Sequence, residues 1–506
     1  MKILFIDILR SGLEEIWPAA EHSIGLMYLS AVLKQHLGRR VDIELHSLIS
    51  LPHHPEDDRV AMSRLLEQVS PDIVGVRSLT LSRDCVDTVA HVVKEWREEC
   101  FLVAGGPYAT DDPLDVLESG LVDAAVIGEG EHTMLALTEC LLENRPYHDV
   151  AGIAYMRDGV LQRSTPRELI SDLDTLPLPD YSIVDIDQFS NRYLSFSAKV
   201  SRPHANIMTS RGCPYRCAYC HNILGKTFRP RSAENVFAEI RWLHDHQGVT
   251  DFQVIDDIFN LDMDRAKQIC DLVIQSGMQL TFAFPNAIRA DRVDEELIEK
   301  MARAGTKFSA IAIETASPRI QKLIRKNLDL DVAARTIELC SRAGIVTRGF
   351  FMLGFPSETE EEALQTIAYA KQSALCGATF FQVVYYPGTK LFALAQKLGY
   401  FDDTDNFVQR DYVQVSEGPY AFSAERMFEL KKEAISEFAF TRERVQRAMD
   451  IMPPYFSQRE IDGLFMAYVV SSQTRWEDLK DPFVKQHLKR HFVIADRFSM
   501  KREFYV

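Results

Sequence analysis

Three cysteines stand close together in the segment RGCPYRCAYCHN, residues 211–222. Cys213, Cys217 and Cys220 are separated by three and then by two residues. Thiolates at this spacing can hold one face of an iron–sulfur cube, which takes four thiolates when it is bound by protein alone. A set of three leaves one iron with an open coordination position. The segment therefore predicts a cluster that binds a substrate or a second cofactor at its fourth iron.

Two other uses of these thiols remain open. A zinc ion could take the three cysteines together with His221 as its four ligands. A disulfide could join two of the cysteines and would leave the third one over. The remaining six cysteines are scattered singly and favour a reducing cytoplasm over a disulfide framework; they are Cys85, Cys100, Cys140, Cys270, Cys340 and Cys376.

Charge and hydropathy exclude several partner classes. The chain of 506 residues carries 57 Lys and Arg against 73 Asp and Glu, a net charge of −16. This balance disfavours nucleic acid, whose phosphates bind to basic surfaces. We find no run of about 18 uncharged apolar residues, so no membrane span is predicted. The start, MKILFIDILRSG, is typical of a first β-strand rather than of a signal peptide.

Residues 1–140 alternate strand and helix patterns, which predicts a doubly wound, Rossmann-like parallel sheet. Open sheets of this kind bind ligands at the carboxyl ends of their strands. No GxGxxG motif with a downstream acid occurs, so a nicotinamide cofactor fits poorly. The candidate ligand-binding residues that follow predicted strands are Arg77, Ser78, Thr80, Ser82, Gly105, Gly106, Gly128, Glu129 and Gly130.

The rest of the chain divides into three parts. Residues 141–195 predict a hairpin that turns at Asp158-Gly159, followed by a proline-rich linker. Residues 196–395 alternate again and predict a partial (β/α)6 barrel with its chemistry at the strand ends. Residues 396–506 predict a mostly helical domain that covers the barrel mouth. The strands expected in the barrel are 204–209, 252–255, 281–285, 308–313, 347–353 and 380–384.

The cysteine segment resembles the signature of the radical S-adenosylmethionine (SAM) superfamily, with Tyr219 at its aromatic position. Motifs at the later strand ends are also similar, across 200–395. The resemblance implies a [4Fe-4S] cluster whose open iron binds the amino and carboxylate groups of SAM. The residues implied to bind SAM are Asp256 and Asp257 in VIDDIFN, Arg289 in FPNAIRAD, Glu314 in AIAIETASPR and Gly354 in RGFFMLGFPSET.

Taken without the resemblance, these residues have plainer interpretations. Asp256 and Asp257 could cap a helix that begins near Asp262. Glu314 could be a charge at a helix N-terminus, and Gly354 could be a turn glycine.

Residues 1–140 resemble the cobalamin-binding domain that precedes the barrel in one radical SAM subclass. In that subclass, a hydroxyl-bearing segment and a Gly-Gly turn surround the nucleotide tail of cobalamin. The D-x-H-x-x-G motif, which supplies a histidine below cobalt in other cobalamin proteins, does not occur here. Arg77 could cap that face of the corrin or bind a corrin amide, or it could be a surface arginine.

The resemblance implies transfer of a methyl group from SAM, via methylcobalamin, to an unactivated carbon or phosphorus of a small molecule or peptide. A low-potential donor such as flavodoxin or ferredoxin would supply electrons. The alternatives are a porphyrin ester cyclase or another rearrangement enzyme without methyl transfer, and a non-catalytic cobalamin sensor. Coproducts distinguish the enzymes: methyl transfer releases S-adenosylhomocysteine, and the other reactions release 5′-deoxyadenosine alone.

Overall fold

The computed structural model describes residues 1–10, 23–50, 55–79, 82–186, 203–220, 223–400, 417–452 and 472–499, with 458, 461, 464, 465, 468 and 469. The chain divides into two compact units. The first comprises Met1–Ser195, Ala205–Pro214 and Asn222–Gln247, and the second comprises Phe196–His204, Tyr215–His221 and Gly248–Val506. Cys213 therefore belongs to the first unit, whereas Cys217 and Cys220 belong to the second.

A seven-stranded sheet forms the centre of the first unit, in the order β2-β1-β3-β4-β5-β6-β7. Its strands are β1 Lys2–Arg10, β2 Asp42–Ser50, β3 Ile73–Arg77, β4 Phe101–Gly105, β5 Ala124–Val126, β6 Ile153–Arg157 and β7 Val160–Arg163. The pairs among β1 to β5 are parallel, and β6 and β7 are antiparallel additions. The predicted doubly wound sheet is thus confirmed.

Two apolar cores lie on opposite faces of this sheet. Leu4 and Ile6 pack in one core, and Ile3 and Phe5 pack in the other, because successive strand side chains point to opposite faces. The helices that cover these cores are Ile24–Leu37, Pro55–Val69, Arg83–Trp96, Pro107–Asp111, Pro113–Leu117 and Glu131–Leu142, and Ala233–Gln247 also belongs to this unit.

The hairpin predicted at Asp158-Gly159 joins β6 to β7. Both turn residues have positive φ, 52° and 75°. Two positive φ angles in a two-residue loop match the twist of the flanking strands. The prediction is confirmed.

A second ribbon is formed by β9 Ser210–Arg211 and β10 Arg229–Pro230, which pair antiparallel. The 17 residues between them, 212–228, carry the three clustered cysteines. We call this segment the cysteine loop.

The barrel sheet has six strands in the order β15-β14-β13-β12-β11-β8. They are β8 His204–Ile207, β11 Asp251–Val254, β12 Thr281–Ile288, β13 Thr306–Glu314, β14 Val346–Leu353 and β15 Gly377–Gln382. The pairs from β11 to β15 are parallel. The sixth strand begins three residues before the predicted 380, since Gly377 and Ala378 carry little strand preference of their own.

Helices alternate with these strands and also follow the last of them in the described part of the chain. Those of the barrel are Met263–Ser276, Glu295–Ala304, Pro318–Leu323, Leu330–Arg342 and Glu360–Gln372. Those that follow are Lys390–Lys397, Ala424–Ala439, Arg442–Ile451 and Pro482–Ser499. In the described part of the chain, no helix is both long and apolar enough to cross a membrane.

Candidate active site

The cysteine loop is closed tightly at its base. Gly212 has a φ of 81°, and a Cβ there would lie 2.3 Å from the carbonyl oxygen of Thr227. Only glycine fits this position, because any side chain would collide with the returning backbone. The amide of Cys213 donates to the carbonyl of Gly225 over 3.3 Å. The first of the three thiols therefore starts from a fixed backbone.

The three clustered thiols differ from the other six cysteines. Cys213 and Cys217 are partly exposed and Cys220 is exposed, whereas the six others are buried, and none of the nine is in a disulfide. No three His, Cys, Asp or Glu side chains among the described residues surround a common point, as the ligands of a single metal ion do. A cube binds each thiolate through a different iron, so its ligands need not meet at one point. His221 lies outside the described residues.

Tyr219, Glu314 and Lys326 form a polar cluster within the second unit. The Tyr219 hydroxyl donates to Glu314 Oε1 over 2.9 Å, and Lys326 Nζ donates to the same oxygen over 3.0 Å. Burial, and then the negative charge of Glu314, raises the pKa of Tyr219 well above its usual value. The phenol consequently stays protonated and acts as a donor.

The backbone of Glu314 is strained. Its φ is 70°, in a region that residues other than glycine rarely adopt, and the pairing of β13 with β14 shifts register just before it. Strain of this kind concentrates at functional sites. The next helix, Pro318–Leu323, is capped by Ser317, so Glu314 is not needed as its N-terminal charge.

The carboxyl end of β11 carries the two predicted aspartates. Asp256 is buried and Asp257 is exposed. The helix Met263–Ser276 is capped by Asp262, whose side chain accepts from the Arg265 amide. The alternative, that Asp256 and Asp257 cap this helix, is therefore wrong.

Arg289 follows β12 and is held by neighbours of the second unit. Its guanidinium lies 3.6 Å from the ring centroid of Tyr215, a residue of the cysteine loop. Arg289 Nη2 donates to Asp291 over 2.9 Å, and the Arg292 Nε donates to the Tyr215 hydroxyl over 3.1 Å. The predicted residue Arg289 thus anchors the cysteine loop to the barrel. Tyr215 was missed from the sequence, because the prediction for this segment rested on the spacing of the cysteines and not on the residues between Cys213 and Cys217.

Gly354, after β14, is clamped on both sides of its backbone. Its amide donates to Glu358 Oε2 over 2.5 Å, and its carbonyl accepts from the Tyr385 hydroxyl over 2.6 Å. Its φ is 95°, and a Cβ would lie 2.9 Å from Met427 Cε. Gly354 thus lies in a turn that is packed closely on both sides, and its role toward SAM stays a prediction.

Glu358 is fully buried next to this turn. Burial raises its pKa to about 8, although the amides of Gly354 and Phe355 donate to it. Its Oε1 has no hydrogen-bond partner among the described residues. Sequence inspection missed Glu358, because a glutamate after a turn is typical of exposed positions.

In the first unit, the ends of β3 and β4 pack against each other. Arg77 Nη1 donates to Asp7 Oδ1 over 2.8 Å, and Asp7 is completely buried. Gly106 has a φ of 86°, and a Cβ there would lie 2.9 Å from Arg77 Cγ and 3.4 Å from the Ser78 carbonyl oxygen. The Gly-Gly turn therefore rests directly on the segment that begins with Arg77 and Ser78. Ser82 is buried, and Thr80 lies outside the described residues.

Open space lies beside the predicted glycines at the next strand ends. A Cβ on Gly128 would meet no atom within 4 Å, and one on Gly105 would meet only Val126, at 3.9 Å. This is room that a bound group could fill without side-chain movement. Gly130 differs, since a Cβ there would lie 3.2 Å from Leu29.

Glu129, between these glycines, is engaged by protein. It is buried, and its oxygens accept hydrogen bonds from Arg211, Arg229 and the Ile170 amide. The geometry thus gives no support to a contact between the Glu129 carboxylate and a cofactor. The neighbouring glycine backbone keeps that predicted role.

Comparisons with known proteins find two families along the chain. Residues 207–370 match the radical SAM superfamily, and residues 18–138 match the B12 binding domain. An uncharacterized methyltransferase of Pyrococcus horikoshii is 30% identical over 405 residues, which cover 79% of this chain and 84% of the relative. The chain belongs to the cobalamin-dependent radical SAM methyltransferases. The family, the cofactors and methyltransferase activity predicted from the sequence are confirmed.

Two further proteins resemble this methyltransferase over nearly their whole length. The cytidylyl-2-hydroxyethylphosphonate methyltransferase of Streptomyces wedmorensis is 27% identical over 489 residues, 88% of this chain and 91% of the relative. The solved structure of TsrM, a radical SAM methyltransferase from Kitasatospora setae with cobalamin and a [4Fe-4S] cluster bound, has a TM-score of 0.64 and 17% identity. It covers 96% of this chain and 90% of that protein, and it supports the fold.

This methyltransferase therefore uses a [4Fe-4S] cluster, SAM and cobalamin. The residues present suit these groups. Three accessible thiols are the donors that iron–sulfur clusters take. Glycine strand ends with open space beside them suit the close approach of a large cofactor.

Proposed function

We propose that the enzyme transfers a methyl group from SAM, by way of cobalamin, to an unactivated carbon or phosphorus atom of a small molecule or peptide. The observation that carries the proposal is the presence in one chain of a radical SAM match and a B12 binding match. The similarity to a phosphonate methyltransferase along almost its full length adds support. A porphyrin ester cyclase or another rearrangement without methyl transfer is the alternative that the test below addresses.

Cys213, Cys217 and Cys220 are the proposed cluster ligands. When bound, the cluster supplies the electron that cleaves SAM, and cobalamin carries the methyl group. The Tyr215 ring, held over Arg289 at 3.6 Å, orients the cysteine loop from the barrel side.

Asp256 and Asp257 are proposed to help hold the SAM amino group, and Glu314 is a further proposed contact of SAM. Glu314 is oriented by Tyr219 and Lys326, which both donate to its Oε1. A carboxylate held in advance loses less entropy when a ligand binds. The clamped turn at Gly354 is the proposed support for adenine, and it keeps one shape because both sides of its peptide are bonded.

Cobalamin is proposed to bind at the strand ends of the first unit. Gly105 and Gly128 have open space beside them for a close backbone approach, Gly106 and Gly130 are proposed to shape the two turns, and Ser78, Thr80 and Ser82 are the proposed source of hydroxyl groups. Arg77 is proposed to face the corrin. Arg77 Nη1 donates to Asp7 Oδ1 over 2.8 Å, and this ion pair supports a fixed orientation of the guanidinium.

A flavodoxin or ferredoxin-like protein is the proposed electron donor, and the cytoplasm is the proposed site of action. All nine cysteines lie in the described part of the chain, and none is in a disulfide, which fits a reducing compartment. The net charge of −16 supports the absence of a nucleic acid partner.

Iron, cobalt and methyl transfer can be measured before the substrate is known. Protein purified anaerobically from cells supplied with cobalamin should hold about four irons and one cobalt per chain, the count for one cube and one corrin. After reduction and addition of SAM labelled in its methyl group, we expect label on cobalamin and one equivalent of S-adenosylhomocysteine. Formation of 5′-deoxyadenosine with no label on cobalamin would instead favour the alternative without methyl transfer.

A further inference from the structure

Two buried arginines face each other at the base of the cysteine loop. Arg211 in β9 pairs with Arg229 in β10, directly opposite each other in the antiparallel ribbon. The side chains of both are only 5% exposed. Like charges directly opposite each other destabilise a strand pair, and burial makes their charge costlier still. The ribbon therefore requires carboxylates beside it.

Glu129 and Glu131 supply these carboxylates. Glu129 Oε1 accepts from Arg211 Nη1 and from Arg229 Nη1, each over 2.9 Å, and Glu131 accepts from Arg211 Nη2 over 2.7 Å. Two negative charges thus balance two positive charges within the first unit. We call Glu129, Glu131, Arg211 and Arg229 the clasp.

Ile170 adds backbone bonds to the clasp. Its amide donates to Glu129 Oε2 over 2.8 Å, and its carbonyl accepts from Arg229 Nη1 over 2.6 Å. Arg229 Nη2 also donates to the carbonyl of Leu224, inside the cysteine loop, over 2.7 Å. The positions of Glu129 and Arg229 are therefore determined from several directions.

The clasp joins two loops with different proposed cofactors. Glu129 lies between Gly128 and Gly130, in the loop proposed to hold cobalamin. Arg211 is separated from the cluster thiol Cys213 by Gly212 alone, and the Gly212 backbone packs against the Thr227 carbonyl so closely that no Cβ would fit. A short path of bonds thus runs from the glycine loop, through the Glu129 carboxylate, to the first cluster ligand.

We propose that Glu129 is a positioning residue that couples the cobalamin-binding loop to the cysteine loop, so that binding of either cofactor strengthens binding of the other. This inference rests on the proposed function for the location of both cofactors. Such coupling is reciprocal, because each ligand changes the affinity of the other by the same factor. It would let the enzyme complete the two cofactor sites together.

The charge state of Glu129 supports this role. Burial alone would raise the pKa of its carboxyl, but hydrogen bonds and charge from Arg229 and Arg211 outweigh burial and lower the pKa below its usual value. The carboxylate is therefore ionised, and the clasp intact, throughout the neutral pH range.

The test compares hydroxocobalamin affinity in the full-length protein with and without a reconstituted cluster. In the wild type, we expect the cluster to tighten binding by about 5-fold to 150-fold, the usual range of coupling between two sites. In Glu129→Gln, we expect this ratio to fall to about 1. The double variant Glu129→Gln/Arg229→Gln removes one charge of each sign. It should therefore fold even where the single variant does not, and it should also lose the ratio.

Glu239→Gln is the matched control. Glu239 is equally buried and binds the neighbouring Arg231 and the Tyr181 hydroxyl, but it does not touch the clasp. Its loss tests the effect of breaking a buried ion pair elsewhere in the same unit. We expect this variant to keep the wild-type ratio.

A spectroscopic readout separates coupling from a merely structural role. In the wild type, addition of cobalamin should shift the electron paramagnetic resonance spectrum of the reduced cluster, and in the double variant it should not. Equal affinities in the wild type with and without cluster, or an unchanged ratio in the folded double variant, would overturn the inference alone. A wild type that binds no cobalamin would contradict the proposed function as well.

Discussion

The Tyr219 hydroxyl lies 2.9 Å from the Glu314 carboxylate and joins the cysteine loop to the end of β13. Lys326 reaches the same carboxylate oxygen over 3.0 Å. Because Glu314 also has a strained backbone, its carboxylate is held from two sides in one orientation. An aromatic residue of the cluster motif thus acts on a residue 95 positions away.

Tyr219→Phe should weaken SAM binding without loss of the cluster. Without the phenol, Glu314 must be ordered when SAM binds, which costs about 0.5–1.5 kcal/mol, so we expect the Kd for SAM to rise by about twofold to tenfold. Equilibrium dialysis of SAM against reconstituted protein measures this change, and iron analysis checks the cluster. Tyr147→Phe is the control, since that hydroxyl donates to the Asp123 carbonyl in the first unit. Equal Kd values in both variants would contradict the role of Tyr219.

Cys217→Ala should abolish the cluster and all reductive SAM cleavage, and it should still bind cobalamin with the affinity of wild-type protein that lacks a cluster. Two remaining thiolates cannot hold a cube that normally has three or four protein ligands. Iron content and 5′-deoxyadenosine formation are the measurements. Cys340→Ala makes the same substitution at a buried helix position and should retain both. Wild-type SAM cleavage in Cys217→Ala would refute the cluster assignment.

Gly106→Ala should weaken cobalamin binding as well as lower the melting temperature of the protein. Alanine at the φ of 86° and ψ of −165° of Gly106 costs about 1–3 kcal/mol in backbone strain, and its Cβ would also press on Arg77 at 2.9 Å. Gly120→Ala is the control for strain alone, because its φ is 71° and no atom lies within 4 Å of the added Cβ. Thermal unfolding and hydroxocobalamin titration separate the two effects. We expect Gly106→Ala to melt at a lower temperature than Gly120→Ala, because of the added contact with Arg77, and we expect weaker cobalamin binding only in Gly106→Ala. Unchanged cobalamin binding in folded Gly106→Ala would contradict the role of this turn.

Glu358 should make the free energy of unfolding decrease as pH rises from about 5 to about 8. Its pKa is about 8 in the folded protein, against about 4.3 in an unfolded chain. The folded state therefore binds more protons between these values, and the free energy of unfolding decreases across this window. Glu358→Gln imitates the protonated acid and should flatten this dependence, measured as melting temperature from pH 5 to pH 8.5.

Glu362→Gln is the control for this pH experiment. A hydrogen bond from Arg319 is the main cause that lowers the pKa of Glu362 to about 2. The stability that Glu362 contributes is present above its unfolded pKa and is lost only as pH falls towards 2. Its substitution should shift the melting temperature by the same amount at pH 5 and at pH 8.5. A slope in Glu358→Gln as steep as in the wild type would show that Glu358 is not the responsible group.

Much of this enzyme could be predicted because its signals are local in the chain. The spacing of Cys213, Cys217 and Cys220 encodes cluster chemistry within eight residues. The pair Asp158-Gly159 specifies a hairpin turn by its own backbone preferences. Strand and helix patterns repeat over short windows, and they predicted both parallel sheets.

Only the tertiary structure decided which partners the polar groups have. Glu129 stands in a glycine loop, yet its partners Arg211 and Arg229 lie 82 and 100 residues later. The burial that raises the pKa of Glu358 depends on the packing of distant segments, which no local pattern records. Spacing along the chain encodes backbone shape and donor types. Long-range packing decides which charges meet and how far water is excluded from them, and hence which residues bind cofactors and which hold the protein together.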